Sequence, residues 1–206
     1  MNVLIACEES QTVCIAFRNK GHNAFSCDIQ KPSGGHPEWH ILADVTPLLN
    51  GNCVFRTLDG KTHLIPGTWD LIIAHPPCTY LSNAGACRMF PKAGQIDLLR
   101  YEKALQAKNF FMQIYNADCP RICIENPKPL SCVGLPPKSD SVDWTDFGGE
   151  YRKKTYFWYK GLPPLFATLL TVGNIHSWVM STRSAVKRSK TFPGIAAAMA
   201  EQWGCL

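Results

Sequence analysis

Three short stretches of this 206-residue chain carry an apolar run into residues able to do chemistry: Cys7-Glu8-Glu9-Ser10, His75-Pro76-Pro77-Cys78 and Glu125-Asn126-Pro127. The first and third offer carboxyl groups, the second a thiol. Cys78 differs from the other cysteines because two prolines stiffen the backbone ahead of it. Thr79, Ser82, Asn83 and Gly85 make the loop behind it polar. Rigid presentation suits a nucleophile, since a thiolate held in line with its target gains the advantage of an oriented attack. Taken alone, the same residues fit a structural cysteine in a proline-rich turn equally well.

These stretches must be positioned by the elements that lead into them. Residues 2–6 (Asn-Val-Leu-Ile-Ala) read as a buried strand, Gln11 to Lys20 as a helix stopped by Gly21, and His22 to Cys27 as a second strand ending at Asp28. Ile41-Leu42-Ala43 leads to Asp44, and Val54 to Ile65 forms a hairpin around Asp59-Gly60, a dipeptide suited to positive φ in a two-residue turn. Trp69 to Ala74 is a buried strand, and Ile96 to Tyr115 a long helix with Leu98, Tyr101, Leu105 and Met112 at helical spacing. Arg121 to Glu125 is the next strand, and 128–146 is rich in Pro and Ser and reads as irregular. Lys154 to Tyr159 is a strand, and Pro193 to Trp203 a terminal helix. Strand, helix, strand and acidic residue open a doubly wound, mostly parallel α/β sheet of the Rossmann-like kind, whose carboxyl strand ends gather at one edge. One site could then hold all three stretches.

Composition narrows the class. With 46% hydrophobic and 18% charged residues the chain is expected to form one globular domain over 1–206, neither disordered nor fibrous. No run approaches the ~18–20 apolar residues that cross a bilayer. The start lacks a basic leader and meets Glu8 and Glu9 at once, so a cytoplasmic protein with reduced cysteines is expected despite ten of them. There is no Cys-x-x-Cys, and Pro37 disfavours a helical pairing of His36 with His40, so no metal is expected. The net charge of +5 is concentrated in Arg152-Lys153-Lys154 and in Arg183, Lys187, Arg188 and Lys190. That distribution suits either a polyanion-binding surface or a solvated face.

Taken in order, the residues resemble a family. The run from Asp70 through His75-Pro76-Pro77-Cys78-Thr79 to Gly85 resembles the Pro-Cys catalytic loop of DNA cytosine-5 methyltransferases, and Glu125-Asn126-Pro127 resembles their Glu-Asn-Val. Ala43-Asp44-Val45-Thr46 is similar to their Gly-Asp-Ile-Thr, and Ser26-Cys27-Asp28 to their acidic ribose-binding position. Arg152-x-Lys154 is similar to a later Arg-x-Arg. The short chain looks most like the compact phage and prophage members of this class, and the likeness covers residues 2–159 and the last helix.

The resemblance implies the class I S-adenosylmethionine-dependent methyltransferase fold and transfer of a methyl group to C5 of cytosine in duplex or single-stranded DNA. Cys78 would add to C6 of the base while Glu125 protonates N3, with Arg152 and Lys154 holding the base carbonyl or a phosphate. S-adenosylmethionine would be held by Cys7, Glu8, Glu9 and Ser10 at its methionine end. Asp28 with Ile29 would hold the ribose, Asp44 with Val45 the adenine, and His75 and Pro76 would stand beside them. Thr79, Ser82, Asn126, Lys187, Arg188 and Lys190 would meet nucleic acid, 160–190 would serve as a minimal target-recognition insert, and 191–206 as the closing helix. Protection of phage DNA against restriction is the purpose this suggests.

Two departures are visible. The first loop, Ala6 to Gln11, contains no glycine where the family has Phe-Ala-Gly-x-Gly-Gly, and the chain has too few residues after Tyr159 for a separate recognition domain. Two other readings stay open: a catalytically silent binding module for nucleic acid or a host protein, and an exocyclic-amine methyltransferase, whose Pro-Pro-aromatic loop is similar to Pro76-Pro77-Cys78.

Overall fold

The computed structural model describes residues 1–172, 174–177 and 190–206. Among them β1 is Asn2–Ala6, β2 Asn23–Asp28, β3 His40–Leu42, β4 Cys53–Arg56, β5 Thr62–Ile65, β6 Leu71–Ala74 and β7 Ile122–Asn126. They are followed by β8 Asp140–Asp143, β9 Tyr151–Arg152, β10 Lys154–Lys160 and β11 Asn174–Ser177. The helices are α1 Thr12–Asn19, α2 Ala86–Met89, α3 Leu98–Tyr115 and α4 Pro193–Trp203.

Seven strands form one sheet in the order β3-β2-β1-β6-β7-β10-β8. The first five are parallel, and β10 runs antiparallel to both β7 and β8. The chain is a mixed α/β domain with a mostly parallel central sheet. Alternation along the strands sends Leu4, Ala6, Ile72, Ala74, Ile122, Ile124 and Trp158 to the face covered by Ala104, Phe111 and Ile114 of α3. Val3, Ile5, Leu71, Ile73, Cys123 and Phe157 go to the other face, against Val13, Cys14 and Phe17 of α1 and Ile195, Met199 and Trp203 of α4. A sheet covered on both faces needs apolar residues at every buried position, which is why residues 3–6 of β1 and all of β6 are unbroken apolar runs. No helix among the described residues is long and apolar enough to cross a membrane. All ten cysteines are free thiols.

Three local expectations need correction. The 128–146 stretch contains β8, missed because Asp-Ser-Val-Asp has only one apolar residue and needs only to supply an edge to β10. The buried face of α3 is Tyr101, Ala104, Phe111 and Ile114, while Leu98 and Leu105 are exposed. Asp97 sets the start of α3 by accepting the Arg100 amide at 2.8 Å. The β4–β5 hairpin does not use two positive-φ residues: only Gly60 has positive φ. Thr57 N donates to Lys61 O at 3.0 Å around a three-residue loop, the pattern of a type I turn closed by a glycine bulge.

Candidate active site

The order β3-β2-β1-β6-β7 means that strand addition reverses between β1 and β6, and open α/β sheets bind ligands outside the carboxyl ends at such a reversal. A cavity of about 550 Å³ lies there. Cys7, Glu8, Glu9 and Ser10 after β1, Asp28 at the end of β2 with Ile29 and Gln30 after it, and Asp44 and Val45 after β3 line one part. His75, Pro77, Cys78 and Thr79 after β6, with Phe110, Lys190 and Thr191, line the rest.

Strand parity decides which side chains meet. Ile73 and Cys123 point to the α1/α4 face, so His75 and Glu125, two residues further on, emerge on the same side. His75 Nδ1 lies 3.0 Å from Glu125 Oε2, and both side chains are largely buried. Thr191, just ahead of α4, donates its hydroxyl to the same Oε2 at 3.1 Å and stands 3.3 Å from His75 Nδ1. Phe157 of β10 shares this face, and two steps of two residues back along the chain bring Lys153 to it. The Lys153 ammonium stands 4.5 Å from the centre of the Trp144 ring, a cation–π contact that holds it, and Trp144 is itself stacked on Phe192.

These groups tune one another. Burial works against charge on Glu125, yet the His75 hydrogen bond, the His75 and Lys153 charges and the Thr191 hydroxyl outweigh it and hold the carboxyl below its ordinary range. Burial likewise opposes a charged His75, but the bond to Glu125 and the charges of Glu125 and Glu8 raise its pKa above the ordinary imidazole value. Burial lowers Lys153, against the pull of Glu125 and Cys78. Burial raises the Cys78 thiol, with the Lys153 charge acting the other way and Glu125 adding to the rise. Cys78 therefore sits within the electrostatic reach of both Glu125 and Lys153. Its carbonyl accepts the amides of Leu81 and Ser82 at 3.1 and 2.9 Å, which turns the chain sharply after the thiol.

The glycine-free first loop has a glycine-like backbone. Cys7 and Gln11 both have positive φ, 59° and 58°, a conformation that costs a non-glycine residue about 1–3 kcal/mol. Side chains hold it in place. The Gln11 amide donates to Ser26 Oγ at 3.2 Å and His36 O at 2.8 Å, and its oxygen accepts the His36 amide at 3.0 Å. Gly34 packs so closely that a Cβ there would stand 2.6 Å from Gln11 Cβ. Glu8 is buried, and its carboxylate accepts the amides of Val13 at 2.7 Å and Cys14 at 3.2 Å, capping α1.

Several expected site residues stand elsewhere. Arg152 and Lys154 are exposed because their parity is that of Tyr156 and Trp158, which face α3; the lysine between them points to the site. Glu8 lines the cavity but commits its carboxylate to α1, while Glu9, on the same wall, stands 3.8 Å from Lys190. Pro76 is buried, and Pro77 lines the cavity in its place. Ser82 is 5% exposed and caps the following turn through Ala84 N, and Asn126 is 1% exposed with its amide donating to Pro127 O. Both side chains are turned into the protein. Lys187 and Arg188, and most of the 173–190 part of the proposed insert, lie outside the described residues. His40 bonds Ser26 Oγ and Gln30 O through its two ring nitrogens, and His36 stacks on Trp39. Among the described residues no group of His, Cys, Asp or Glu is arranged to hold a metal.

Lys153 and Thr191 were not expected. Lys153 was legible in the alternation Lys153, Thr155, Phe157, whereas nothing in the sequence around Thr191 marks its contact with Glu125.

No family model and no curated protein matches the chain. Among solved structures, one described as a DNA modification methyltransferase encoded within an E. coli prophage aligns with 77% of this chain and 46% of its own, at 14% identity and a TM-score of 0.40. The chain thus spans less than half the length of that neighbour.

Proposed function

We propose that the chain is an S-adenosylmethionine-dependent DNA methyltransferase acting at C5 of cytosine, with Cys78 as nucleophile and Glu125 as the group that meets N3. One observation carries this reading: the loop ending in Cys78 is tied back through His75 to Glu125 at 3.0 Å, above a cavity whose other wall carries Asp28 and Asp44. This tie supports a reading in which a thiol and a carboxyl group from distant parts of the chain serve one site. The ordered motifs that resemble the cytosine-5 family support cytosine in DNA as the substrate.

The cavity suits the methyl donor. Its volume is within the range of small-molecule sites. Asp28 and Asp44 close the ends of β2 and β3 as hydroxyl and amine acceptors, Ile29 is 78% exposed and offers an apolar surface to a purine, and Glu9 can meet an ammonium group. When bound, S-adenosylmethionine supplies an electrophilic methyl group. The chain's own residues do the rest. Lys153 favours the thiolate of Cys78 against burial, the thiolate adds to C6, and Glu125 delivers a proton to N3, so that C5 becomes electron-rich. Lys153 also replaces Arg152 as the cation facing the base carbonyl or a phosphate. The Rossmann-like, doubly wound reading is supported by the strand order and by helices on both faces. The positive-φ loop weighs against a silent binding module, because the backbone shape that glycine would give is kept without it.

The test is methyl transfer from labelled donor to duplex DNA, single-stranded DNA, RNA and dCMP. Label at C5 of cytosine in either DNA, lost in Cys78→Ser, is expected; label on an exocyclic amine that survives Cys78→Ser would favour the amine reading.

A further inference from the structure

We propose that His75 is a positioning residue that stores the proton Glu125 must deliver. The inference rests on the cytosine reading above and adds to it the residue that recharges the carboxyl group.

The geometry is specific. His75 Nδ1 and the Thr191 hydroxyl converge on one oxygen of Glu125, Oε2, at 3.0 and 3.1 Å. Two donors on one oxygen favour a carboxylate, so Glu125 waits ionised while the proton sits on the imidazole. Yet a group that protonates N3 must carry a proton when the base arrives, and the short contact to Nδ1 is where it comes from. The groups around His75 agree. The charge of Glu125 on β7 favours a protonated ring, as does Glu8 after β1 when it is ionised, and Lys153 ahead of β10 opposes them. His75 Nε2 is buried and meets no partner among the described residues, so Nδ1 is the nitrogen through which the ring works.

The step balances. On entry of the pyrimidine the proton passes from His75 Nδ1 to Glu125, leaving a neutral imidazole and a neutral carboxyl. Cys78, its thiol proton passed to solvent water, then forms its bond to C6 as a thiolate. The electron pair of the C5=C6 double bond shifts into the ring, and N3 takes the proton from Glu125. In water this adduct accepts a proton at C5 and can lose the hydrogen first present there. When the C5=C6 bond re-forms, the thiolate leaves and the N3 proton returns to Glu125 and His75. No donor of methyl groups is needed for this cycle.

The experiment uses the whole chain and oligodeoxynucleotides, single-stranded and duplex, tritiated at cytosine C5, without methyl donor. His75→Asn keeps a donor near the Nδ1 position but cannot carry the proton. Wild-type protein is expected to release tritium into water with activity extending above neutral pH. His75→Asn is expected to lose about tenfold or more in kcat at pH 8 while KM stays within about twofold, with its pH limb moved to acid by about one unit or more. In wild-type protein NMR titration of His75 is expected above the ordinary imidazole range, falling back in Glu125→Gln. An unchanged pH profile in His75→Asn, or a His75 that titrates at or below the ordinary range, overturns the proposal. Wild-type protein that releases no tritium although His75 titrates high overturns the cytosine reading, and the inference with it.

Discussion

The Glu8 carboxylate accepts the Val13 amide at 2.7 Å and so joins the loop after β1 to the first turn of α1. A residue that the motif order places beside a methionine ammonium group also caps a helix, buried to 3% exposure at the cavity wall. Glu8→Ala leaves the Val13 and Cys14 amides without their acceptor and is expected to cost about 1–2 kcal/mol in urea unfolding.

Burial raises the Glu8 pKa, against the His75 charge and the amides of Val13 and Cys14. An acid whose folded pKa is raised contributes stability that is complete below its unfolded pKa and is lost as pH rises through the folded one. Glu8→Gln removes that loss and keeps one acceptor. The fall in unfolding free energy between mildly acidic pH and pH 8 is expected to be smaller in Glu8→Gln than in the wild type; an equal or larger fall would show that Glu8 is not the group responsible.

Lys153 and Arg152 are neighbours with opposite fates. Lys153→Gln removes the charge that reaches Glu125 and Cys78, and single-turnover methylation is expected to slow about 100-fold. Arg152→Gln, at an exposed position, is expected to leave the single-turnover rate within about twofold and to act only on DNA affinity and its salt dependence. The reverse ranking would restore the Arg-x-Lys assignment.

Binding of S-adenosylmethionine, followed by calorimetry, tests the cavity. Asp28→Asn and Asp44→Asn are each expected to weaken it about tenfold, the scale of a hydrogen bond to a charged group. Gly34→Ala places a Cβ 2.6 Å from Gln11 Cβ and 2.7 Å from Ser10 O, so the loop must shift; weaker binding with a stability loss of about 1–3 kcal/mol is expected. Unchanged affinity in all three would remove the donor from this cavity.

Much of the sheet was legible because buried parallel strands leave unbroken apolar runs: residues 3–6, 71–74 and 122–124 need no context to be read. β8 left no such mark, since an edge strand with one buried valine satisfies its sheet through backbone bonds to β10. In the candidate site, Cys78, Glu125, Asp28 and Asp44 stand out in the sequence because strand ends and prolines mark them. Arg152 and Lys154 were chosen from motif spacing, whereas the alternation of β10 exposes both and turns Lys153 towards Glu125 and Cys78. Thr191 was illegible, because its contact with Glu125 joins residues 66 apart and only the docking of α4 creates it.

The central claim is a covalent bond between Cys78 and the base, and trapping measures it most directly. Wild-type protein, S-adenosylmethionine and an oligodeoxynucleotide carrying 5-fluorocytosine are incubated, and the digest is mapped by mass spectrometry. One adduct is expected, on the peptide containing Cys78 and absent in Cys78→Ala. An adduct on another residue, or methylation at C5 that persists in Cys78→Ala without any adduct, would contradict it.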